Sequence, residues 1–116
     1  MTIMRDLISA VAYMHAQRVI HRDIKLENIK FGKKGVVDHI KILDFGSATH
    51  HDLGSDKLHY EMCGSPYYCA PEMLMGSGYN EKVDLWSCGV IFHFLLTSTF
   101  PFDGKTDMDI LHSVQK

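Results

Sequence analysis

Asp23, Lys25 and Asn28 share one short string, His21-Arg22-Asp23-Ile24-Lys25-Leu26-Glu27-Asn28, and a further carboxylate follows in Asp44-Phe45-Gly46. A carboxylate can orient a hydroxyl and take its proton, and a nearby ammonium can stabilise a developing anion. Carboxylate and amide oxygens are also the hard ligands that Mg²⁺ prefers. The same residue types are ordinary turn formers and solvated charges. Order and spacing separate the two readings: Asn28 follows Asp23 by five residues, and Ala70-Pro71-Glu72 closes the series.

The remaining sequence must supply elements that hold these groups. Ile3, Met4, Leu7, Ile8, Val11, Ala12, Met14 and His15 recur at helical spacing, which predicts an amphipathic helix over 2–17 with Thr2 as its cap. Val19 and Ile20 lead into the polar string. Ile29 to Phe31 and Ile40 to Leu43 flank Gly32-Lys33-Lys34-Gly35, the pattern of a small hairpin. Residues 47–64, rich in polar residues and His, read as a mobile loop, with Gly54-Ser55-Asp56 within it. Lys82 to Leu96 is apolar almost all round, as expected of a helix inside a larger core, and Pro101 ends that region. A last helix is expected over 106–115.

Composition narrows the function classes. The chain has 116 residues, 46% apolar and 22% charged, with a formal net charge of −2, so it carries no electrostatic signature of a nucleic-acid partner. Cys63, Cys69 and Cys88 are odd in number and widely spaced, which reads as reduced thiols. The longest apolar run, Gly89 to Leu96, is broken by His93 and is too short to span a membrane. The N-terminus lacks the layout of a signal peptide, and a cytoplasmic location is the expectation.

The strings at 21–28, 44–46 and 70–72 fit H-R-D-x-x-x-x-N, D-F-G and A-P-E, and on them the chain resembles the protein kinases. Lys25 with Gly64-Ser65-Pro66 is similar to the Ser/Thr type. Residues 64–72 and 83–91 resemble the calcium/calmodulin-dependent group, with the calcium-dependent protein kinases as the nearest subgroup. The resemblance implies an α+β, mainly α-helical fold: a partial kinase C-terminal lobe over 1–116 with a small β-hairpin at the catalytic loop. It implies ATP and Mg²⁺ as cofactors and phosphoryl transfer to Ser or Thr hydroxyls of a protein substrate.

The roles it implies are specific. Asp23 is the catalytic base, Asn28 and Asp44 are the metal ligands, and Lys25 stabilises the transferring phosphate. His21 and Phe45 stack, and Asp84 holds the catalytic-loop backbone, although an Asp at such a place is ordinarily a helix cap. Ser65 shapes the acceptor pocket beside Asp23 and Lys25; otherwise it is a loop serine. Glu27 favours a basic substrate sequence through an Arg, or is a solvated surface residue. Glu72 pairs with an Arg of a later helix that is not in these residues. Glu61 stands where related kinases carry an activating phospho-Thr that pairs with Arg22, and a carboxylate there makes a weaker version of that pair; Ser55 and Tyr60 are less suitably placed phosphosites.

The sequence departs from the pattern in several places. The 116 residues contain no G-x-G-x-x-G loop and no V-A-I-K lysine, so the resemblance implies a missing N-terminal lobe, or a partner kinase, and an isolated chain without turnover. They contain no calcium loop of the D-x-[DN]-x-[DN]-G type, which puts any calcium control elsewhere. Leu26 replaces a usual Pro. Lys30 stands where an apolar residue usually lies under the adenine. An apolar patch is expected beside helix 82–96. The alternative function is a catalytically inactive, pseudokinase-like interaction module; a metal hydrolase built on Asp23, Asp44 and the histidines is a third reading.

Overall fold

The computed structural model describes residues 2–33, 36–51 and 57–101. The expected helix over 106–115, the hairpin tip at Lys34-Gly35, Gly54-Ser55-Asp56 and the Ser55 phosphosite lie outside these residues, as does the side chain of Thr2.

Among the described residues two long helices form the frame. Helix α1 spans Thr2–Ala16 and α3 spans Lys82–Thr97. Between them run β1 (Val19–Ile20), β2 (Ile29–Lys33), β3 (Val36–Ile42), β4 (Thr49–His50) and the short helix α2 (Pro71–Leu74). Single 3-10 turns sit at Leu26–Asn28, Phe45–Ser47 and Pro66–Tyr68. The periodicity of α1 translates directly into packing. Met4, Leu7, Val11 and Met14 are buried against Cys88, Val90 and Ile91 of α3, with Ile24 and Tyr68 between. Leu7, Val11 and Ile91 are fully buried, and each such side chain contributes about 1.5–3 kcal/mol. A second cluster of Ile20, Cys69, Ala70, Met73, Tyr79 and Val83 lies where α2 meets the start of α3.

Helix α3 is not enclosed on all sides. Its Val83, Asp84, Ser87, Cys88, Val90 and Ile91 are buried, whereas Leu85, Phe92 and Leu96 are exposed, as is Ile8 of α1. The expected apolar patch is thus a shallow groove of about 300 Å³ lined by Met4, Ile8, Leu85, Cys88, Gly89 and Phe92. Among the described residues no helix is long and apolar enough to cross a membrane.

Among the described residues two small antiparallel sheets hold the polar strings. β2 pairs with β3 in the register Ile29↔Ile42, Lys30↔Lys41, Phe31↔Ile40, with an irregularity between Phe31 and Lys33. β1 pairs with β4, Val19 opposite His50 and Ile20 opposite Thr49. The stretch 47–64, expected to be a loop, therefore contributes a strand, and His59 also forms an isolated bridge with Tyr79.

Candidate active site

The hairpin register is what brings the strings together. Ile29 opposite Ile42 puts Asn28 across from Leu43, and the Leu43 amide donates to the Asn28 carbonyl at 2.7 Å. Asp44 follows immediately. The buried Asn28 side chain donates from Nδ2 to the Asp23 carbonyl at 2.9 Å, which leaves its amide oxygen as an available hard ligand. Asp44 is exposed and adopts a left-handed backbone (φ 57°), and its carboxylate accepts a long hydrogen bond from the Gly46 amide at 3.3 Å.

His21 braces the two segments. Its Nε2 donates to the Leu43 carbonyl at 2.9 Å, and its Nδ1 accepts from the Asp23 amide at 3.1 Å. A carbonyl only accepts and an amide only donates, so these partners select the tautomer. The ring also meets Phe45 edge-on, with centroids 4.8 Å apart.

Asp23, Lys25 and Ser65 form a triangle across a long stretch of chain. The Ser65 hydroxyl donates to Asp23 Oδ1 at 3.2 Å and accepts from Lys25 Nζ at 3.0 Å. Lys25 Nζ lies 3.8 Å from Asp23 Oδ2. Ser65 is held there by Gly64, whose φ is 87° and at which an added Cβ would stand 2.5 Å from the Arg22 carbonyl. Only glycine lets the two segments approach that closely.

Asp84 anchors the loop from beneath. It is 1% exposed and accepts from the backbone amides of His21 and Arg22, both at 2.9 Å. His15 Nε2 donates to it as well, at 2.9 Å. It lies in the first turn of α3, where the N-cap is Glu81, so the carboxylate serves the loop. Arg22 itself has a positive φ of 71°, a conformation that costs a non-glycine residue about 1–3 kcal/mol and persists only where its surroundings enforce it.

Arg22 reaches the segment after Asp44 and the one around Glu61. Its Nε donates to the Ser47 carbonyl at 2.6 Å, its Nη1 donates to the Tyr79 hydroxyl at 3.2 Å, and Glu61 lies 3.7 Å away. Burial opposes its charge, but the Tyr79 bond and the neighbouring Cys63, Tyr79 and Glu61 groups hold its pKa above the ordinary value. Glu27 is exposed; burial, with Glu27 nearby, pushes the Tyr68 phenol up. Glu72 lies in the first turn of α2, half buried. Lys30 is exposed and sits opposite Lys41, a like-charge cross-strand pair.

The structure thus brings Asp23, Lys25, Asn28 and Ser65 together with Asp44 one residue beyond the contact, joins Arg22 to Glu61, and leaves Glu27 and Glu72 at the margin. The residues that sequence reasoning missed are Tyr79, Ser47 and the role of His15. Tyr79 sits in a turn-forming stretch just before an apolar helix, and His15 is one of several scattered histidines; neither pattern singles them out.

The family model of the protein kinase domain matches residues 1–116. A calcium-dependent protein kinase 4 of Plasmodium falciparum is 44% identical over 114 residues, covering 97% of this chain and 21% of its own length. A CBL-interacting serine/threonine-protein kinase 1 of Arabidopsis thaliana is 47% identical over 103 residues, 87% of this chain and 22% of that protein. A calcium-dependent protein kinase 5 of Plasmodium berghei is 43% identical over 118 residues, 98% of this chain and 20% of that protein. The chain spans about a fifth of the length of these curated relatives. With the match running the whole length of the sequence, this chain belongs to the protein kinase family, in its serine/threonine branch, and is similar to the calcium-dependent protein kinases.

Proposed function

We propose that these residues form part of a kinase C-terminal lobe that transfers a phosphoryl group from ATP to a Ser or Thr hydroxyl of a protein, in the cytoplasm. The observation that carries the reading is the Asp23–Ser65–Lys25 triangle set beside the Asn28–Leu43 contact. It supplies an oriented carboxylate, a cation and two hard oxygen ligands in one place.

The donor set suits Mg²⁺. Asp44 offers a carboxylate that, among the described residues, accepts a single long hydrogen bond, and Asn28 offers an amide oxygen beside a committed Nδ2. A Mg²⁺ held by two protein oxygens would take its remaining ligands from phosphate and water. When bound, the Mg²⁺–nucleotide pair supplies the transferable group and neutralises its charge. Asp23 orients the acceptor hydroxyl and takes its proton, its own carboxylate fixed by the Ser65 hydroxyl. Lys25 Nζ faces the same space and offsets negative charge on the group in transit. Glu27, exposed at the rim, favours a substrate with a basic residue.

The test uses a complete kinase carrying these residues. Asp44→Asn is expected to remove most Mg²⁺-dependent nucleotide affinity. Asp23→Asn is expected to abolish turnover while sparing that affinity, since the two carboxylates serve different steps. Equal loss of nucleotide affinity in both variants would refute the division of roles.

A second reading, a non-catalytic interaction module, is favoured by the apolar groove between α1 and α3. Turnover by the unmutated enzyme that Asp23→Asn abolishes excludes it.

A further inference from the structure

Arg22 carries a buried charge whose acidic partner is loose. Its side chain is 7% exposed, whereas that of Glu61, 3.7 Å away, is 76% exposed. A contact that long to a solvated carboxylate contributes little. The direct partners of the guanidinium are the Ser47 carbonyl and the Tyr79 hydroxyl. That hydroxyl in turn donates its own proton to the Glu61 carbonyl at 2.5 Å. A single phenol therefore accepts from the catalytic loop and donates to the activation segment.

Tyr79 is built to stay there. It is 2% exposed. Its backbone is bridged to His59 in both directions, at 2.9 and 3.0 Å, and its ring packs in the cluster with Ile20, Met73 and Val83. Burial, which outweighs the opposing bond from Arg22, pushes the phenol above its ordinary pKa, and a protonated hydroxyl is what the bond to Glu61 needs. Because that bond goes to the main chain of residue 61, it survives any change of the Glu61 side chain.

We propose that Tyr79 is a positioning residue for the kinase reaction: its hydroxyl, rather than the Glu61 carboxylate, couples the activation segment to Arg22 and through Arg22 to the adjacent Asp23. The proposal rests on the kinase reading above for its catalytic half. It deepens that reading by naming the group that aligns the loop without a phosphate. A phosphate at residue 61 would offer Arg22 a second, direct acceptor, making the phenol dispensable.

Two measurements test it separately. In the 116-residue chain, hydrogen exchange is followed over residues 59–64, along with the NMR signal of the Arg22 Nη1–H group that meets Tyr79. Tyr79→Phe is expected to speed exchange there by about tenfold or more, with α1 and α3 unaffected, because a buried charged donor loses its acceptor. Glu61→Ala is expected to have a smaller effect. In a complete kinase carrying these residues, Tyr79→Phe is expected to lower kcat by roughly tenfold or more with the KM for nucleotide nearly unchanged, the pattern of lost alignment rather than lost binding. Phosphothreonine introduced at position 61 in the Tyr79→Phe background is expected to restore kcat; a loss caused by general misfolding would not be restored. The proposal is overturned if Glu61→Ala matches or exceeds Tyr79→Phe in either assay, if exchange over 59–64 is unchanged in Tyr79→Phe, or if the phosphate fails to rescue. An unmutated enzyme with no turnover on Mg²⁺-ATP would instead refute the kinase reading, while the exchange result would still stand or fall on the contact itself.

Discussion

Replacing Asp84 by Ala orphans three donors at once: the amides of His21 and Arg22 and the His15 Nε2–H. Each buried donor left unmade costs about 1–3 kcal/mol, a gross loss of roughly 3–9 kcal/mol for the three. Removing a carboxylate that is 1% exposed recovers part of its own burial cost, so the net expectation is about 3–5 kcal/mol. A domain of this size holds roughly 6–17 kcal/mol in all, so the substitution removes a large share. Asp84→Asn keeps one acceptor. Its best orientation leaves Oδ1 on His21 and His15 and turns the amide nitrogen toward the Arg22 amide, at a cost of about 2 kcal/mol. Urea unfolding of the 116-residue chain, followed by circular dichroism, gives the order Ala worse than Asn worse than wild type. Hydrogen exchange at the His21 and Arg22 amides rises with it. A loss below about 1 kcal/mol for Asp84→Ala, or unchanged exchange at those amides, would show that the three bonds are not the anchor.

Ser65→Ala releases Asp23 Oδ1 and Lys25 Nζ together; in a complete kinase carrying these residues kcat is expected to fall roughly tenfold, with Ser65→Thr retaining most of it. Burial, then the charges of His51, Arg22 and Lys57, hold the His59 pKa below its ordinary 6.5 despite Glu61. The unfolded chain therefore binds this proton first: the His59 contribution to stability is complete above about pH 6.5 and is lost as pH falls from there through the folded pKa. Urea midpoints measured from pH 8 to 5 should decline over that range, and less steeply in His59→Gln. Burial and the nearby Asp84 push the Cys88 thiol up to about 12, so in the native chain alkylation at pH 8 should modify the half-exposed Cys63 well before Cys88, and equal rates would contradict the packing.

Much of this architecture is legible in the residues, and the gaps have physical causes. The helical repeat of Leu7, Val11 and Met14 fixes α1 because a buried stripe must recur with the helical period, and the observed helix ends one residue short of the expected one. The hairpin follows from two apolar runs about a glycine-containing turn. The association of Asp23, Lys25 and Ser65, and the anchoring by Asp84, come from resemblance; spacing alone leaves Asp84 as a cap. What escaped is the set of contacts fixed only by tertiary packing. Tyr79 finds Arg22 because its main chain bridges to His59, and His51 finds His59 at 3.0 Å and Glu81 at 2.9 Å. No local period or motif encodes such meetings.

The contacts that shape the site are distant along the chain. Asp23 waits for a residue 42 positions later, Arg22 for one 57 later, and the His21 and Arg22 amides for a carboxylate 63 and 62 positions downstream. Closing loops of that length costs entropy before any contact returns it, so the 21–28 segment has a high local contact order. On the ribosome it emerges well ahead of its anchor. The segment cannot acquire its working shape as it leaves the tunnel; it must stay open, with His21 and Arg22 hydrated, until the start of α3 arrives. Assembly of the site is therefore expected to coincide with docking of α3, as one late and all-or-none event.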